Sequence, residues 1–65
     1  MRYFSYNEID NITLTLSEEE IRKAYWPHWY NAMCNKYEQS YVDETYSFED
    51  CLDDWCIIYG AWRSE

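Results

Sequence analysis

The sequence predicts an α+β domain: a small antiparallel sheet, made of an N-terminal hairpin and a C-terminal strand, with one long helix and one short helix packed on it. Three observations predict it. Residues 3–16 are rich in aromatic and β-branched residues and alternate around a turn signal at Asp10-Asn11. A capping box at Ser17 opens a run with helical period. The uncharged stretch Trp55–Trp62 has the composition of a covered strand.

In the hairpin, Tyr3, Phe4 and Tyr6 favour the first strand. Ile12, Leu14 and Leu16 alternate with Thr13 and Thr15 in the second, which puts the aliphatic residues on one face. Ser17-Glu18-Glu19-Glu20 then combines a serine cap with glutamates that suit the positive end of a helix dipole. Ile21, Ala24, Tyr25, Trp29, Ala32, Met33 and Tyr37 continue at a 3.6-residue period past Pro27. An interior proline removes one hydrogen bond and crowds the preceding turn, so the helix either kinks at Tyr25-Trp26 or restarts at Pro27. The unbroken stripe favours one kinked helix over 18–37.

Residues 38–46 read as polar and irregular. Ser47 is a second cap, and Phe48, Cys51, Leu52 and Trp55 share one face of a short helix. Trp55–Trp62 follows as a strand, placed against the hairpin because uncharged strands are normally covered.

At 65 residues the chain is one domain, 1–65, with a formal net charge of −8. Fourteen aromatic residues exclude an acidic disordered tail. The negative charge disfavours direct contact with nucleic acid or anionic membranes. No secretory signal or membrane-spanning run is expected, which fits a cytoplasmic protein. Cys34, Cys51 and Cys56 are read as reduced thiols. Zinc would need His28 as a fourth ligand at spacings unlike the usual ligand pairs, so no metal or other cofactor is expected. Gly60 is the single glycine, so there is no phosphate loop, and no calcium-loop pattern accompanies the carboxylates. Nothing pairs with His28 as a nucleophile would, and a fold this small rarely forms a deep cleft; the chain is read as a non-enzyme.

The charge distribution is the informative feature. Glu38, Asp43, Glu44, Glu49, Asp50, Asp53 and Asp54 lie between Lys36 and Arg63 with no basic residue among them. Such self-repulsion opposes folding, and a domain of this size buries only about 60% of its unfolded surface. Three explanations compete. A solvated face would keep an aromatic-rich protein soluble, although such faces usually mix signs. A nucleic-acid mimic would present carboxylates to a Lys/Arg-lined groove. An interaction module would dock through aromatic anchors that fall off the apolar stripes, namely Trp26, Tyr30, Tyr41 and Tyr46. Monomer and homodimer are both compatible with these readings.

The basic-free segment from Glu38 to Asp54, the chain length and the aromatic density resemble small acidic proteins of phages and mobile elements, anti-CRISPR and anti-restriction proteins among them. Ser47-Phe48-Glu49-Asp50-Cys51-Leu52-Asp53-Asp54-Trp55 is also similar to stretches of short phage proteins. The resemblance implies a stoichiometric inhibitor of a bacterial defence nuclease complex, acting in the host cytoplasm. Its acidic residues would then pair with Arg and Lys of a DNA-binding or PAM-reading groove in a CRISPR effector or other defence protein.

Overall fold

The computed structural model describes residues 1–64; Glu65 and the side chain of Asp10 lie outside the described residues. Strand β1 (Tyr3–Asn7) and strand β2 (Thr13–Ser17) form the expected hairpin. Phe4 faces Leu16 and Tyr6 faces Leu14 across the ladder. The connection is a 3-10 turn at Ile9–Asn11, closed by the Glu8 N–H donating to the Ile12 carbonyl at 2.7 Å. Asn11 takes φ 62°, a left-handed conformation that asparagine tolerates better than most residues. Ile12 therefore belongs to the turn rather than the strand, and it is exposed.

Helix α1 (Glu18–Lys36) starts at the capping box. The Glu20 N–H donates to Ser17 Oγ at 3.2 Å, and the Ser17 N–H donates to Glu20 Oε1 at 2.9 Å. The helix runs through Pro27 without ending, as the continuous stripe of apolar residues anticipates. Its last turn is closed by the Tyr37 N–H on the Met33 carbonyl at 2.9 Å.

Two expectations are corrected. Residues 38–46 are not irregular, because Gln39–Thr45 form helix α2. Val42, fully buried at 1% exposure, anchors this helix, and the Tyr37, Tyr41 and Tyr46 rings at its two ends and on its surface pack on one another. Trp55–Trp62 is not a strand. Helix α3 (Phe48–Tyr59) continues through Trp55 and absorbs most of that stretch, leaving β3 (Trp62–Arg63) as a two-residue strand.

Packing explains the second correction. Continuing the helical period places Tyr59 beside Trp55, and both rings then pack on Tyr6, at centroid distances of 5.1 and 5.6 Å. Gly60 stops the helix in the left-handed conformation at φ 62°. The Ala61 N–H donates to the Cys56 carbonyl at 2.8 Å, the long bond of a Schellman cap. The chain then turns to pair β3 with β1, Phe4 opposite Arg63 and Ser5 opposite Trp62. The sheet order is β2-β1-β3, entirely antiparallel. One core joins sheet and helices: Phe4 from β1, Ile21 and Trp29 from α1, and Phe48, Cys51, Leu52 and Trp55 from α3.

Candidate functional site: the acidic surface of α2 and α3

All seven carboxylates of the basic-free segment are exposed. Asp43 and Glu44 stand on α2, Glu49, Asp50, Asp53 and Asp54 on α3, and Glu38 immediately precedes α2. Burial of Phe48, Cys51, Leu52 and Trp55 forces the four acids of α3 onto the remaining helix surface, since positions one and two residues away from a buried stripe point elsewhere.

The fold uses four of these acids. Glu49 receives Arg2, whose Nη1 donates to Oε1 at 2.9 Å and whose Nη2 contacts Oε2. Arg2 also binds Glu18 through Nε at 3.2 Å and through its backbone N–H at 3.1 Å. One guanidinium thus ties the N-terminus to the first turns of both α1 and α3. It holds the Glu18 carboxyl down at about 2 by hydrogen bonding, and it lowers Glu49 in the same way. Asp50 accepts from the Ser47 N–H at 2.8 Å, closing the first turn of α3. Asp54 Oδ2 accepts from the Trp29 indole Nε1 at 2.7 Å. Asp43 Oδ1 accepts from the Tyr30 hydroxyl at 2.5 Å, and this bond, with burial second, pushes the phenol up to about 12.

Adjacent residues of α1, Trp29 and Tyr30, therefore each hold one carboxylate, from α3 and from α2 respectively. None of these bonds except that of Arg2 cancels charge, because an indole N–H and a phenol are neutral donors. Among the described residues, Glu38, Glu44 and Asp53 have neither a side-chain hydrogen bond nor an ion pair. Arg22 is spent elsewhere, with its guanidinium carbon 4.0 Å from the Phe48 ring centroid.

The aromatic set expected to anchor a partner divides. Tyr41 is exposed, whereas Trp26, Tyr30 and Tyr46 are half-buried. Trp26 stacks on Trp29 at 5.7 Å and meets the Phe48 ring at 5.9 Å, so most of it serves the core. Tyr46 packs edge-on against Trp29 at 5.8 Å. Two exposed apolar residues that sequence reasoning did not single out are Ile9, at the hairpin turn, and Ile58, near the end of α3. Reading Ile58 as part of a covered strand concealed its exposure.

Among the described residues, no group of three or more His, Cys, Asp or Glu could hold a metal ion. Cys34, Cys51 and Cys56 are not disulfide-bonded, and burial pushes the Cys51 thiol up to about 11. Among the described residues, no helix is long and apolar enough to cross a membrane. Compared with protein families, curated proteins and solved structures, the chain has no significant match.

Proposed function

We propose that this protein is a stoichiometric inhibitor of a bacterial defence nuclease complex, setting its acidic surface into a basic groove that otherwise holds DNA. The observation that carries the reading is the exposure of all seven carboxylates, of which Glu49 alone carries a guanidinium among the described residues. The other six, Glu38 just before α2, Asp43 and Glu44 on α2, and Asp50, Asp53 and Asp54 on α3, face water without a described counter-ion. The fixing of Asp43, Asp50 and Asp54 by neutral donors supports the same reading, because pre-ordered carboxylates lose little side-chain entropy on binding. The defence target follows from the resemblance of the basic-free segment to phage proteins of that class. Basic grooves steer such a surface by long-range attraction, which salt screens.

The test uses DNA cleavage by a panel of CRISPR effectors and restriction enzymes, with the protein added in equimolar amounts. Reversing Asp50 or Asp54 would remove a helix cap or the Trp29 acceptor, so the informative variant is Glu38→Lys/Glu44→Lys/Asp53→Lys. It should keep the parent circular dichroism spectrum and lose inhibition, and the parent should inhibit less as salt rises. If the triple variant inhibits as well as the parent, the acidic surface serves solubility alone.

A further inference from the structure

Where the hairpin turn meets the end of α3, the surface carries a notch of about 340 Å³ lined by Tyr6, Asn7, Glu8, Ile9, Ile58 and Tyr59. Its base is formed by the Tyr6 and Tyr59 rings, which pack at 5.1 Å and both rest on Trp55. Its apolar walls are left to water: Ile9 is 87% exposed and Ile58 64%. Neither residue contributes to the core cluster, so the fold does not account for two isoleucines there. A volume of this size lies at the lower end of the range for binding pockets, ~300–1,000 Å³, enough for a single side chain.

Charge selects the occupant. The lining contains Glu8 and no Lys or Arg, and Asp53 and Asp54 precede Ile57 and Ile58 by one helical turn. Both chain segments that build the notch are free of basic residues over long stretches, from Tyr3 to Ile21 and from Tyr37 to Trp62. A second copy would bring one net charge of −8 against another. A cationic segment meets no such repulsion. We propose that the notch takes one large apolar side chain of a partner segment in which that side chain is flanked by Lys or Arg. The inference rests on the reading of a basic partner and adds to it an apolar anchor at a defined place.

The experiment is a titration of the ¹⁵N-labelled full chain, followed by amide shifts, with three peptides of equal length. One has a single Leu flanked on each side by two Lys. The second replaces that Leu by Ala. The third flanks Leu with Glu. The Lys-flanked Leu peptide should shift the amides of residues 6–9 and 58–59 and bind about fivefold or more tighter than the Ala peptide, as burial of a Leu side chain provides. Ile58→Asp and Ile9→Asp should each abolish that difference while leaving the spectrum dispersed; both positions are exposed, and either variant suffices if the other fails to fold. Equal binding of the Leu and Ala peptides, with shifts confined to residues 38–54, overturns the notch and leaves the acidic-surface reading standing. Absence of shifts with either Lys peptide overturns both. Equal binding of the Glu-flanked peptide overturns the charge argument. Concentration-dependent shifts at residues 6–9 and 58–59 without peptide would make a second copy the occupant and overturn the proposal.

Discussion

The indole N–H of Trp29 donates to the carboxylate of Asp54 at 2.7 Å, joining the buried ring of α1 to the exposed face of α3. A buried indole requires an acceptor, and here an acidic-surface residue supplies it. Asp54→Ala should therefore cost about 1–3 kcal/mol by leaving that donor unpaired. In a domain of this length each kcal/mol corresponds to a melting shift of roughly 4–8 °C. Asp54→Asn keeps an acceptor oxygen and relieves repulsion with Asp50, one turn away, so it should stay within about 0.5 kcal/mol of the parent. Urea unfolding of the two variants measures the difference; equal midpoints would show that the indole is satisfied without Asp54.

The features legible in the sequence are those with local causes. Ser17 and Glu20 specify their capping box within four residues, and the alternation of Leu14 and Leu16 puts them on one face of β2, opposite Tyr6 and Phe4. The end of α3 was not legible. Trp55, Ile57, Ile58 and Tyr59 have strand propensity, and the packing of Trp55 and Tyr59 against Tyr6, some fifty residues away in the chain, outweighs it. Helix α2 is not legible in the sequence for a related reason: its burial rests on the single residue Val42. For the site, exposure of the carboxylates followed from their charge. The partners Arg2, Trp29 and Tyr30 are set by long-range packing, which no spacing along the chain encodes.

The fork of Arg2 between Glu18 and Glu49 makes stability depend on acid pH. The Glu18 carboxyl falls from its ordinary value of 4.5 to about 2, chiefly through hydrogen bonds from Arg2. A depressed carboxylate stabilises the fold fully above its unfolded value, and that contribution fades as pH falls from 4.5 toward 2. Glu49 shifts in the same direction. Melting temperature should thus drop through this window in the parent. In Arg2→Gln it should start lower at neutral pH and drop less. Parallel curves for the two proteins would show that Arg2 does not hold these carboxylates in solution.

Tyr30 gives a spectroscopic readout of the acidic surface. Its phenol is pushed from 10 up to about 12, mainly by its bond to Asp43. Ultraviolet titration should show a late tyrosine step at this high pH, and Asp43→Asn should bring that step back toward 10. The sign for stability is opposite to that of Glu18. A raised phenol stabilises the fold below its unfolded value, and the contribution disappears as pH climbs from 10 to 12. If Asp43→Asn leaves the late step in place, the hydroxyl does not donate to that carboxylate in solution.

Pro27 sits exposed inside α1, where it cannot donate to the Lys23 carbonyl and its ring crowds the preceding turn. Interior proline costs about 3 kcal/mol relative to alanine, partly offset by about 0.4–1 kcal/mol because proline restricts the unfolded chain. Pro27→Ala should therefore stabilise the domain by about 2 kcal/mol if α1 can straighten without loss elsewhere. Yet Trp26, Trp29 and Tyr30 flank this position, and the helix path there decides whether Trp26 stacks on Trp29 and whether Trp29 and Tyr30 reach Asp54 and Asp43. Urea unfolding, read alongside the Tyr30 titration, distinguishes the two cases. A more stable variant with an unchanged tyrosine step would mean that Pro27 only weakens the helix. A less stable variant, with the tyrosine step moved toward 10, would mean that the proline sets the helix path on which the placement of both carboxylates depends.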